Sequence, residues 1–166
     1  MMKIRVYEAD KDFEVISTWI TDARTHAMWC ANLTAFPLQR DCFDKLLSDI
    51  GERFGDRPFV VEDDEANVEG FLCFSINQTI NEGMFKFIMV DPNKRGRGLG
   101  KQMLGMAVSY FFEKTGADAI QLNVFDENPR AKRCYEGAGF SERKTDPGAF
   151  RYGDEAWGRC NMVITR

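Results

Sequence analysis

The chain has 166 residues, 44% of them apolar and 29% charged, with a formal net charge of −4. This length fits one domain, residues 1–166, with a sizeable core, and the composition excludes collagen, fibre and wholesale disorder. No apolar run is long enough to span a membrane, and the acidic balance argues against nucleic acid as a general partner.

Met1-Met2-Lys3-Ile4-Arg5-Val6 alternates like a strand and lacks the apolar centre of a signal peptide, so the expected compartment is the cytoplasm. Residues 4–7 form the first predicted strand. Asp10 is the predicted cap of a helix that aligns Phe13, Ile16 and Ile20 on one face. A loop is predicted through Trp29 and Asn32. The next helix is predicted over residues 37–50, where Cys42, Phe43, Leu46, Leu47 and Ile50 recur at helical spacing and Gly51 marks the end.

The period then changes. Residues 59–61 and 70–76 read as the two strands of a hairpin around a polar turn. Residues 85–90 are nearly all apolar, which predicts a strand covered on both faces. Asp91-Pro92 stops it. A helix follows over residues 98–114, with Leu99, Met103, Met106, Ala107 and Tyr110 on one stripe and Leu104 and Phe111 extending it. Residues 119–124 alternate cleanly as a strand, and residues 128–138 read as a helix ended by Gly139. Final strands are predicted from Phe140 and over residues 159–165, joined by an irregular segment holding Pro147, Gly148 and Gly153. The centre is thus a β-α-β crossover with a further helix behind it. The expected class is α/β (α+β) with a mixed sheet.

Cys30, Cys42, Cys73, Cys134 and Cys160 are scattered, odd in number and contain no C-x-x-C pair, so neither a disulfide framework nor a zinc site is expected. His26 is the only histidine, which rules out a histidine-rich metal centre. No metal is expected.

The chemistry concentrates in Arg95-Gly96-Arg97-Gly98-Leu99-Gly100, followed by Lys101. Glycines between a strand and a helix let backbone N–H groups approach a ligand. A helix N-terminus adds free N–H groups and the positive end of its dipole, which together favour an anion, usually phosphate. Arg95, Arg97 and Lys101 add positive charge. The bland alternative is a turn with basic surface residues. A Walker A loop fits poorly, because Gln102 stands where a hydroxyl should follow Lys101, and the G-x-G-x-G spacing misses the dinucleotide fingerprint.

The loop matches [Q/R]-x-x-G-x-[G/A], with Val90-Asp91-Pro92 ahead of it. Asn128-x-x-Ala131-x-x-x-Tyr135-x-x-x-Gly139-Phe140 supplies a second signature downstream. On these two motifs the sequence resembles the GNAT N-acetyltransferase superfamily. The resemblance implies a mixed, mostly antiparallel sheet flanked by helices. Residues 84–140 would form the acetyl-CoA-binding core, and residues 1–80 the variable acceptor side.

It also implies acetyl transfer from acetyl-CoA to a primary amine, by direct attack in a ternary complex. The backbone of Ile88, Met89 and Val90 would pair with the pantetheine arm. Arg95, Gly96, Arg97, Gly98, Leu99, Gly100 and Lys101 would hold the pyrophosphate, and Asn128 would contact the cofactor. Tyr135 would serve as general acid to the leaving thiolate. Asn128 also reads as a plain N-cap and Tyr135 as a half-buried aromatic. Cys134 lies on another helix face and reads as packing.

An alkyl amine, with pKa near ~10.4, arrives protonated and must lose a proton. Some relatives carry a Glu for this where Asn123 stands here. Glu82, Asp126, Glu127 or a water chain are the open substitutes. The acceptor, a small-molecule amine, a polyamine or a protein amine, is left open. So is the oligomeric state, a homodimer included. Acidic residues at Asp41, Asp44 and 62–65 could attract a polyamine or be plain solvated surface. Trp19, Trp29 and Phe36 could line the acceptor side or the core. The competing function is a non-catalytic acyl-CoA-binding sensor or partner-docking module.

Overall fold

A computed structural model describes residues 1–166. The elements run β1 (Lys3–Val6), α1 (Ala9–Ser17), α2 (Ala23–Cys30), α3 (Arg40–Phe54), β2 (Arg57–Glu62), β3 (Val68–Asn77) and β4 (Glu82–Val90). After a 3-10 turn at Pro92–Lys94 come α4 (Leu99–Lys114), β5 (Ala119–Phe125), α5 (Pro129–Gly137), β6 (Ser141–Tyr152) and β7 (Glu155–Thr165). The strands form one seven-stranded sheet in the order β1-β2-β3-β4-β5-β7-β6. Every neighbouring pair is antiparallel except β4 and β5, which are parallel. This is the mixed, mostly antiparallel sheet flanked by helices that the two motifs imply. No helix is long and apolar enough to cross a membrane.

Period-two alternation divides the strand side chains between two cores, one on each face of the sheet. Phe59, Leu72, Ile120, Leu122 and Met162 pack with Met103, Leu104, Ala107 and Phe111 of α4 and Tyr135 of α5. Their neighbours Val60, Phe71 and Cys73 pack instead with Phe13 and Ile16 of α1 and Phe43, Leu46 and Ile50 of α3. The crossover connecting β4 to β5 through α4 puts α4 and α5 on the first face. The N-terminal helices cover the second.

Several boundaries differ from the sequence expectation, each for a local reason. The region around Trp29, predicted as a loop, carries α2. Its signal is Asp22, whose carboxylate accepts the Thr25 N–H at 2.8 Å, an N-cap that buries Ala27 and Cys30 behind it. α1 is capped at Glu8 and not Asp10. The Asp12 carboxylate reaches back one turn to accept the Glu8 N–H at 2.8 Å, and Asp10 sits in the first turn. α1 also ends before Trp19 and Ile20, which are buried beyond it. α3 begins at Arg40, passes through Gly51 and ends at Gly55, whose φ of 74° provides the left-handed stop. The Pro147–Gly148 segment is not an irregular linker. Both residues lie within edge strand β6, where a register shift between Asp146 and Phe150 absorbs them.

β4 is covered on both faces only in part. Phe85, Phe87 and Met89 are buried, while Met84, Lys86, Ile88 and Val90 are half-buried and border a cavity. α4 buries Met103, Leu104, Ala107, Val108 and Phe111, with Met106 and Tyr110 half-buried at the margin of the stripe. Gly83 holds the closed end of the β4–β5 pair. A Cβ there would lie 2.6 Å from the Phe74 ring, which is itself stacked on Phe111 at 4.0 Å and cannot retreat. Gly83→Ala is expected to cost about 1–3 kcal/mol of stability by overpacking, measured as a lower urea midpoint at unchanged m-value.

Candidate active site

The site begins where β4 and β5 part. Only Glu82, Gly83 and Met84 face Ala119, Ile120 and Gln121 across the parallel pair. From Phe85 to Val90 the β5-side edge of β4 has no strand partner, and its N–H and C=O groups are available to another extended chain. A cavity of about 790 Å³ lies in the opening.

A bulge in β4 shapes that edge. The pairing with β3 jumps from Cys73↔Lys86 to Phe71↔Met89, and Phe87 takes a φ of 55°. A positive φ is costly for a bulky residue and persists only where its surroundings impose it. Here the Trp29 indole N–H donates to the Phe87 carbonyl at 2.9 Å. The bulge also switches faces. Phe85 joins the core under α4, whereas Phe87 and Met89 join the core under α1 and α3.

Next comes the glycine–arginine loop. Asp91 caps the 3-10 turn by accepting the Asn93 N–H at 2.9 Å. Gly96 and Gly98 then take φ values of 82° and 72°, with open space where a side chain would stand. The backbone N–H groups of residues 96–101 find no acceptor within the protein, and α4 has neither a capping side chain nor an acidic residue in its first turn. Gly100 differs from the other two glycines. A Cβ there would press to 3.0 Å on Cys134 Sγ, so glycine allows α4 to approach α5. Cys134 is thus packing, as its helix face suggests.

Charge converges on the same end. Arg95, Lys101, Arg130 and Arg133 line the cavity, and Arg97 adjoins them in the loop, although it does not reach the cavity wall. None of the five forms an ion pair within the protein. Desolvation by burial, followed by the neighbouring Arg130 charge, lowers the pKa of Arg95. No aspartate or glutamate lines the cavity at all. Lys101 and Arg130 even occupy the first turns of α4 and α5, where a cation opposes the helix dipole. Free N–H groups and unpaired guanidinium groups together form an acceptor for a polyanion such as a pyrophosphate.

Beyond the loop, Asn128 caps α5 by accepting the Ala131 N–H at 3.3 Å and also lines the cavity. One turn further, Tyr135 is buried among core side chains and borders the cavity. Burial raises its pKa, so the phenol stays protonated at neutral pH. It is a proton donor at rest.

No candidate base meets it. Asn123 lines the cavity, and its Oδ1 accepts from Asn161 Nδ2 at 2.9 Å. Glu82 stands at the closed end of the strand pair, in a bidentate contact with Arg143. Asp126 accepts the Gly158 N–H at 2.9 Å, and Glu127 pairs with Arg24 at 3.2 Å. None of the three carboxylates lines the cavity.

Ile88, Met89, Val90, Arg95, Gly96, Gly98, Leu99, Gly100, Lys101, Asn128 and Tyr135 all fall on this one cavity. Sequence reasoning missed Arg130 and Arg133, whose signal is a basic helix start with no acidic residue to match. It also missed the bulge at Phe87, which has no local signature. Trp19 and Trp29 do line the cavity, but Phe36 does not; it packs against His26.

Comparison with known proteins agrees with this geometry. The Acetyltransferase (GNAT) family matches residues 16–140. The chain is 31% identical over 109 residues to a spermidine N(1)-acetyltransferase of Vibrio cholerae serotype O1, covering 65% of this chain and 60% of the relative. It is 31% identical over 130 residues to a mycothiol acetyltransferase of Beutenbergia cavernae, covering 73% of this chain and 42% of the relative. The chain therefore spans less than two thirds of the length of either relative. Among solved structures, a spermidine N-acetyltransferase from Vibrio cholerae in complex with CoA and spermine superposes with a TM-score of 0.80. That match has 25% identity and covers 99% of this chain and 95% of the other. Strand divergence, glycine–arginine loop and family match converge, and the chain belongs to the GNAT acetyltransferase family.

Proposed function

We propose that this chain transfers the acetyl group of acetyl-CoA to a primary amine by direct attack within a ternary complex. The observation that carries the reading is the run of unpartnered N–H groups over residues 96–101 among cations without ion pairs, beside an unpaired strand edge and a protonated phenol. Acetyl-CoA supplies the activated thioester. Gly96, Gly98, Leu99, Gly100 and Lys101 cradle its pyrophosphate through backbone N–H groups, and Arg95, Arg97 and Lys101 add charge. The free edge of β4 at Ile88, Met89 and Val90 pairs with the amides of the pantetheine arm, as a further strand would. A backbone N–H of that edge polarises the thioester carbonyl.

The amine nitrogen forms its bond to the carbonyl carbon, and the carbon–sulfur bond breaks. Tyr135 gives its proton to the departing sulfur and regains one from solvent. The proton of the attacking amine leaves through water. Asn128 supports the arm at the start of α5. A merely binding module has no use for a protonated phenol at the sulfur, and this favours the enzyme.

Two outcomes test these roles. Tyr135→Phe is expected to lower kcat by about 100-fold or more, while the CoA dissociation constant measured by calorimetry stays within about twofold. An unchanged kcat removes the acid role. Gly98→Asp places a carboxylate at the pyrophosphate position, at a φ of 72° that disfavours a side chain. It is expected to weaken CoA binding by about 100-fold or more, with the circular-dichroism spectrum unchanged. Intact affinity would overturn the cradle.

A further inference from the structure

The cavity has a second half, on the α1–α2 side of the sheet. Trp19, Ile20, Met28, Trp29 and Leu33, from α2 and the segments flanking it, line this half, and Phe125 of β5 also lines the cavity. The wall is apolar and in large part aromatic. Its charged groups are cations only: Arg159, adjacent to Phe125 across the β5–β7 pair, and Lys86. Each already has a carboxylate partner outside the wall. Lys86 Nζ lies 2.7 Å from Asp56, and Arg159 lies 3.5 Å from Asp146.

The nearby acids are committed elsewhere. Glu155 pairs with Arg24 at 2.6 Å and Glu127 with the same guanidinium at 3.2 Å. The acidic run at 62–65 offers no polyamine site here either. Glu62 is buried on Arg5 and Lys3, and Asp63 accepts the N–H groups of its own turn. None of these residues reaches the cavity.

An acceptor with several ammonium groups needs a carboxylate, or a comparable acceptor, for each charge it brings out of water. No carboxylate lines this half-cavity, whose polar side chains are the Thr25 hydroxyl and the paired cations Lys86 and Arg159. It does offer area for a ring or an alkyl body. From this wall we infer that the acceptor is a monoamine on an apolar, ring-sized body, with no second cationic centre. This rests on the acetyl-transfer reading and deepens it. It separates this chain's acceptor from the spermidine named for the Vibrio cholerae relative.

Release of free CoA thiol from acetyl-CoA is measured with phenethylamine, hexylamine, spermidine and spermine as acceptors. Phenethylamine is expected to exceed spermidine in kcat/KM by about tenfold or more. Leu33→Glu then adds a carboxylate to the wall at a residue that is 60% exposed and free of core packing. The variant is expected to raise the spermidine-to-phenethylamine ratio by about tenfold.

Spermidine turnover equal to or above that of phenethylamine in the unaltered chain overturns the inference and leaves the transferase standing. An unchanged ratio in Leu33→Glu also overturns it. Intact CoA binding by calorimetry with no thiol release from any amine overturns the transferase reading itself.

Discussion

The separation of β4 from β5 is the constraint on which the rest depends. Parallel strands normally continue side by side and bury their polar groups in each other. Here the pairing stops after Met84 and Gln121, and both strands continue apart. The two cores help hold them so. α4 and α5 pack on one face and α1 and α3 on the other, and β4 changes its allegiance from the first core to the second at Phe87. The strained backbone at Phe87 is kept by Trp29, a residue of α2 and not of the sheet. An N-terminal helix outside the sheet therefore fixes the β4 edge that borders the cavity.

Electrostatics follows the same opening. A chain of net charge −4 has carboxylates to spare, and half of its 22 lysine and arginine side chains take one. Arg95, Arg97 and Lys101 of the loop and Arg130 and Arg133 of α5 do not, although Lys94 and Lys132 beside them do. Arg95 lies near Arg130 with its charge partly desolvated, a like-charge arrangement that costs stability in the absence of an anion. Lys101 and Arg130 oppose their helix dipoles. Local rules broken together at one place are a sign of function, because stability elsewhere must compensate for them. A bound polyanion would relieve all of these conflicts at once.

Much of this is legible in the residues. The alternation of Ile120, Leu122 and Val124, the glycines at 96, 98 and 100, and the spacing from Asn128 to Phe140 are local patterns, and local patterns survive into the fold. What escapes is non-local or depends on capping. The Phe87 bulge needs Trp29, far away in sequence. α2 depends on one aspartate cap in a stretch of weak periodicity. Glu82, Asp126 and Glu127 look available as bases because sequence shows a carboxylate but not its partner. In the fold those partners are Arg143, the Gly158 N–H and Arg24.

The absence of a base and the absence of carboxylates are one fact seen from two sides. A carboxylate in the acceptor half would accept the amine proton, but it would also stabilise the ammonium form and compete for the cations that hold the phosphates. With none present, an amine entering between Trp19, Trp29 and Phe125 loses hydration and meets Arg159 and Lys86. Desolvation lowers an amine's pKa, so an apolar wall favours the neutral nucleophile. The proton can then be left to water on entry, and Asn123 can remain an amide in the Asn161 network. That arrangement serves a monoamine, which sheds a single charge. A polyamine would have to shed or bury several, and nothing in this wall would receive them.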